Sequence, residues 1–113
     1  MTDETLLDWL RGHAAGGTLV TSVCTGALVL AAAGLLDGRA ATTYWSAYDE
    51  LRAAGRDIEV RPDDRFVDAG PVITAAGVSA GIDMALHLVA RLQSADRARQ
   101  VRRAIQYDPA PPV

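Results

Sequence analysis

The sequence predicts an α/β fold: a mostly parallel sheet with helices on both faces. Three observations carry that expectation. Strand-like runs alternate with helix-like segments along the chain, the order that βαβ crossovers require. The run Leu19 to Val23 is apolar or β-branched at nearly every position, as in strands covered on both faces. Half of the 113 residues are hydrophobic and 22% are charged, enough apolar material for one small core and too much for a disordered chain.

The elements follow from local pattern. Thr2 is placed to cap a first helix, with Asp3 and Glu4 set favourably against its dipole. Leu6, Leu7 and Leu10 form its apolar stripe, and Gly16-Gly17 stops it. After the strand Leu19 to Val23, Cys24-Thr25-Gly26 turns the chain into a second helix, expected to run to Leu36 and to close at Asp37-Gly38. A short strand is predicted from Ala40 to Tyr44, and a helix from Ser46 to Ala54 ended by Gly55. Ile58 to Val60, Arg65 to Val67 and Val72 to Ala75 read as strands, the last two joined by the turn Asp68-Ala69-Gly70-Pro71. Ser79 is expected to cap a helix carrying Ile82, Leu86 and Val89. Ser94 should cap a last one carrying Val101 and Ile105, which Pro109, Pro111 and Pro112 forbid from continuing.

Composition removes several function classes. A formal net charge of −3 offers no basic surface for nucleic acid. The uncharged stretch Ala14 to Leu36 is long enough to span a bilayer. Gly16, Gly17, Thr18, Thr21, Ser22, Thr25 and Gly26 interrupt it, so a buried strand and helix explain it better. The opening Thr2-Asp3-Glu4 lacks the basic start of a signal peptide, and bulky Val23 before Cys24 argues against lipid attachment. One cysteine allows no intrachain disulfide and fits a reducing, cytoplasmic location.

The segment Ser22-Val23-Cys24-Thr25-Gly26 carries the chemistry. A nucleophile between small residues, after an apolar strand and before a helix, has the layout of a nucleophile elbow. The small neighbours permit a sharp turn, and the free N–H groups of a helix N-terminus favour thiolate over thiol. A small buried hydrophobe is the competing reading of a lone cysteine.

Three blocks place that elbow in a family. Ser22 to Ala27 with Ala33-Gly34-Leu35-Leu36-Asp37-Gly38-Arg39-Ala40-Ala41-Thr42-Thr43, then Ala76 to Asp83, then Ile105-Gln106-Tyr107-Asp108-Pro109 with Pro111-Pro112, resemble the DJ-1/PfpI superfamily in the right order. The resemblance is to its isocyanide-hydratase-like branch, with the ligand domains of AraC-type regulators as near relatives. It implies a flavodoxin-like, class I glutamine amidotransferase-like sheet, of which residues 1–113 would be the C-terminal part, and a dimer. It also implies Cys24 as nucleophile with Thr25 beside it, and Gly77, Val78 and Tyr44 as substrate-binding positions. The thiolate would attack the isocyanide carbon, an acid would protonate the adduct, and water would give an N-formamide. No cofactor and no metal are implied; the partners are a small-molecule substrate and a second copy or a complementing N-terminal chain.

The bland readings of these residues are structural: Gly77 permits an awkward backbone angle, and Ser79 caps a helix. Tyr44 stands where many relatives have His, and a phenol titrating near ~10 is no base at neutral pH. His13 and His87 read as structural. Asp49, Asp63, Asp64 and Asp68 read as solvated loop and cap residues. In this family the acidic partner of the cysteine and a Gly-rich oxyanion loop come from strands upstream of residue 1, so the chain alone is expected to be impaired. Two rivals stand beside the lyase reading. One is a ligand-sensing domain of an AraC-type regulator, disfavoured by the ending Pro111-Pro112-Val113; the other is a thiol redox sensor or a glyoxalase-deglycase.

Overall fold

The computed structural model describes residues 3–111; Thr2 and Pro112, singled out above, lie outside the described residues. Helix α1 (Glu4–Ala15) is capped by Asp3, whose carboxylate accepts from the Leu6 N–H at 3.1 Å. Its end is a Schellman turn: Gly17 at φ +89° lets the N–H groups of Gly17 and Thr18 return to the carbonyls of Ala14 and His13. Of the predicted stripe, Leu7 is buried and Leu6 is exposed. The chain continues through β1 (Val20–Ser22), α2 (Gly26–Ala32) and β2 (Ala40–Ala41). A 3-10 turn (Trp45–Ala47) leads into α3 (Tyr48–Ala54), followed by β3 (Glu59–Val60), β4 (Phe66–Asp68) and β5 (Val72–Ala75). Helices α4 (Ala80–Leu92) and α5 (Ala95–Ala104) complete the fold.

The fold is α/β, with helices on both faces of a three-stranded sheet that contains one parallel and one antiparallel pair. Strand β5 is its centre: all four residues are buried, with β1 parallel on one side and β4 antiparallel on the other. Alternation along β5 sorts the core into two layers. Val72 packs in a cluster with Val20, Ala27, Leu30, Leu36 and Leu51, beneath α2 and α3. Ile73 and Ala75 pack with Met84 of α4 on the opposite face. Strands β2 and β3 form a separate parallel pair.

Several boundaries differ from expectation, each for a local reason. Helix α2 stops at Ala32, not Leu36, because Gly34 at φ +80° closes a second Schellman turn, with Gly34 and Leu35 donating to Ala31 and Leu30. Strand β2 ends at Ala41 because Thr42 gives its N–H to the Thr74 side chain, at 2.9 Å, in place of a ladder bond. The antiparallel β4–β5 pair follows from its short link, since parallel neighbours need a long crossover; Gly70, at φ +91°, donates to Asp68 Oδ1 at 2.8 Å within that turn. Strand β1 is not covered on both faces: Thr21 is exposed, and among the described residues β1 is an edge strand. The Ser94 cap forms as expected, its Oγ accepting from the Arg97 N–H at 3.0 Å. Ser79 precedes α4 but makes no side-chain cap; its Oγ instead accepts from Arg65 at 3.0 Å.

Candidate functional site

Cys24 sits between β1 and α2 at φ +54°, the left-handed region that a side chain rarely enters. Such a conformation costs roughly 1–2 kcal/mol, so neighbouring bonds must hold it. Three do. The Cys24 N–H donates to the Ala76 carbonyl at 3.3 Å. Its own carbonyl accepts from Thr43 Oγ1 at 2.7 Å and from the Tyr44 N–H at 3.3 Å. Both backbone groups of the residue are therefore engaged, while the partly buried thiol is free. Thr25 follows as the N-cap of α2 and makes no side-chain capping bond, which leaves its exposed hydroxyl available.

The loop after β5 closes the other side. Gly77 lies flat against the Tyr44 ring: a Cβ there would meet Tyr44 Cδ1 at 2.2 Å and Cε1 at 2.8 Å. Close approach, and not an unusual backbone angle, is what requires glycine at 77. The left-handed residue of this loop is Val78, at φ +49° and 88% exposed. A β-branched residue in that region is a true outlier. The two strand-to-helix elbows thus share one backbone feature and are tied through Cys24 and Ala76. Helix α4 packs beside the first elbow, with Gly81 facing Val23 Cγ1. Val23, Trp45, Val78 and Ile82 are all exposed apolar side chains, next in sequence to Cys24, Tyr44, Gly77 and Gly81 respectively.

The structure therefore brings Cys24, Thr25, Tyr44, Gly77 and Val78 into one cluster. Asp49, Asp64, Asp68 and the two histidines find partners away from Cys24, and Asp63 is exposed. Asp68 accepts from His87 at 2.7 Å and from Arg91 at 3.2 Å, so it is a bracing residue and not a merely solvated one. His87 hydrogen bonding pulls its carboxyl below the ordinary value; burial opposes this, while the Gly70 N–H and the Arg91 charge assist. Asp49 pairs with Arg52, and Asp64 lies 3.9 Å from Arg61. His13 packs its ring on Trp9.

A second polar cluster was not singled out in the sequence. Asp83 on α4 receives the Arg65 guanidinium and, at 2.7 Å, the Tyr107 hydroxyl. Burial pushes the Asp83 carboxyl up, but these two donors outweigh it and leave it below its usual range. The same bonds hold Arg65 more firmly protonated and push the Tyr107 phenol up, the Asp83 hydrogen bond being the largest cause in each. The cluster fastens the segment after α5 onto α4 and lines a groove of about 1030 Å3 with Phe66, Leu86 and Pro109. Cys24 and Tyr44 are not among its walls. Asp83 and Tyr107 lie 24 positions apart, and neither periodicity nor spacing announces their pairing.

Among the described residues no group of three or more His, Cys, Asp or Glu is placed to hold a metal ion. No described helix is long and apolar enough to cross a membrane.

Comparison with known proteins bears on this geometry. Residues 1–91 match the DJ-1/PfpI family. The chain is 49% identical over 112 residues to the isonitrile hydratase of Pseudomonas putida, covering 99% of this chain and 48% of that protein. It is 41% identical over 96 residues to the HTH-type transcriptional regulator CdhR of Pseudomonas aeruginosa, covering 85% of this chain and 28% of the regulator. Among solved structures, a THiJ/PfpI family protein from Pseudomonas syringae superposes with a TM-score of 0.87 at 38% identity, covering 99% of this chain and 45% of that one. The chain thus spans about half the length of the hydratase it matches and 28% of the regulator.

Proposed function

Since the chain belongs to the DJ-1/PfpI family, we propose that it is isocyanide-hydratase-like, with Cys24 as the nucleophile. The observation that carries this reading is the Cys24 elbow. A thiol is held at the start of a helix in a left-handed conformation, with every backbone bond committed to fixing it. The 49% identity to an isonitrile hydratase supports the substrate class.

The chemistry follows from the arrangement. The thiolate adds its electron pair to the terminal carbon of R–N≡C. That carbon takes up a proton, giving a thioimidate. Water then adds to the same carbon, the C–S bond breaks, and the thiolate leaves with R–NH–CHO as product. One water is consumed and no oxidant or reductant is needed. Thr25, next in the chain to Cys24, would donate its hydroxyl to the adduct or the attacking water. Tyr44, Gly77 and Val78 would line the approach, and the exposed apolar residues Val23, Trp45 and Val78, next in the chain to Cys24, Tyr44 and Gly77, suit a neutral, compact substrate better than an ionic one. Reaction in a reducing, cytoplasmic setting keeps the single thiol available. A second copy of the chain or a complementing N-terminal chain would lie along the open edge of β1 and complete the site.

Incubation with a small alkyl isocyanide tests the reading. The N-alkylformamide should appear with wild-type protein and be lost with Cys24→Ala. Faster consumption of methylglyoxal or of peroxide than of isocyanide would point to a carbonyl-detoxifying or redox role instead. The 41% identity to CdhR favours one further reading, a ligand-sensing domain. Saturable isocyanide or amide binding without turnover would select it.

A further inference from the structure

We propose that Thr43 is a positioning residue whose buried hydroxyl holds Cys24 in the left-handed conformation of the elbow between β1 and α2. The inference rests on the reading of Cys24 as the nucleophile and adds the device that fixes it. Thr43 is 0% exposed, and its Oγ1 donates to the Cys24 carbonyl at 2.7 Å, the shortest of the three bonds on that residue. The neighbouring Thr42 shows how Thr43 is itself fixed. Its N–H leaves the β2 ladder for Thr74 Oγ1 at 2.9 Å, on the buried central strand. That diversion turns the chain so that residue 43 faces the elbow and the next N–H, of Tyr44, reaches the same carbonyl at 3.3 Å.

Side-chain volume at residue 43 would be equally well filled by valine, so packing alone does not require the hydroxyl. Hydrogen bonding does. Without Oγ1 the Cys24 carbonyl keeps one longer bond, and the left-handed backbone loses its strongest restraint. Relaxation toward an extended φ would swing the thiol out of the place the elbow gives it between β1 and α2, and so change its rate of reaction with an external electrophile.

Thr43→Val and Thr43→Ser, made in the protein as expressed from its own gene, test this. The first readout is the rate of Cys24 alkylation by iodoacetamide at pH 7, well below the unfolding temperature. The second is the carbonyl carbon resonance of Cys24. Thr43→Val is expected to alkylate about tenfold more slowly, equivalent to ~1.4 kcal/mol on the barrier, and to shift that resonance. Thr43→Ser should stay within about twofold of wild type. A folded Thr43→Val with the wild-type rate and resonance would overturn the proposal. Should Thr43→Val not fold, Thr43→Ser decides: retention of the rate supports the proposal, and a tenfold loss overturns it. Isocyanide turnover is not a readout here, so a protein without hydratase activity would sink the proposed reaction and leave this comparison intact.

Discussion

Adding a single methyl group at residue 77 should disturb the whole cluster. In Gly77→Ala the new Cβ would stand 2.2 Å from Tyr44 Cδ1. Carbon atoms in contact sit about 3.5–4.0 Å apart, so the ring must retreat by roughly 1.3 Å or more. The obstacle is an aromatic ring, not the tip of a flexible chain, and the residue that carries it also donates its N–H to Cys24. Overpacking of this kind costs about 1–3 kcal/mol. Tyr44 is only half-buried, so the ring has an outward path and the lower half of that range is expected. Denaturant unfolding of wild type, Gly77→Ala, Tyr44→Ala and the double variant would measure it. Tyr44→Ala removes the obstacle, so the cost of the alanine should largely vanish in that background. A Gly77→Ala cost below about 0.5 kcal/mol, or one that persists in full without the ring, would refute the steric account.

Two further outcomes are expected. Tyr44→Phe should keep most formamide production while Cys24→Ala abolishes it, because the phenol acts by shape and packing; equal losses would make the hydroxyl a participant. Asp68, held below the ordinary value of 3.8 chiefly by His87, should contribute stability that is complete above its unfolded value. That contribution is lost as pH falls through its lower folded value. The stability gap between wild type and Asp68→Asn should therefore shrink on acidification below about pH 4, and a gap constant down to about pH 2 would contradict the pairing.

Much of this architecture is legible in the sequence where one local cause acts alone. Val72 to Ala75 reads as a buried strand because each residue is small, apolar or β-branched, and Ser94 reads as a cap because its hydroxyl has no competing partner. Ser79 reads the same way and fails, since Arg65, brought in from β4, takes its hydroxyl. The Cys24 elbow is visible from the small residues around it, but the bonds that hold it come from 43, 44 and 76 and need the tertiary fold. Gly34 carried an overlooked signal, a glycine followed by leucine, which is the pattern of a Schellman turn. The structural reading of Gly77, an awkward backbone angle, fails: its neighbour Val78 has the left-handed backbone, and only the packed Tyr44 ring reveals why residue 77 lacks a side chain. The Arg65–Asp83–Tyr107 cluster was hidden because its members are ordinary surface residues until three separate elements meet.

The most direct test of the central claim is to look for the covalent intermediate on Cys24. The protein is mixed with an excess of a 13C-labelled alkyl isocyanide, quenched in acid within the first turnover, and digested for mass spectrometry. The account predicts that the peptide holding Cys24 gains the mass of one isocyanide, that the labelled carbon is bonded to sulfur, and that Cys24→Ala gives neither adduct nor formamide. Formamide formed at the wild-type rate by Cys24→Ala, or by wild-type protein whose Cys24 has been fully alkylated beforehand, would contradict it.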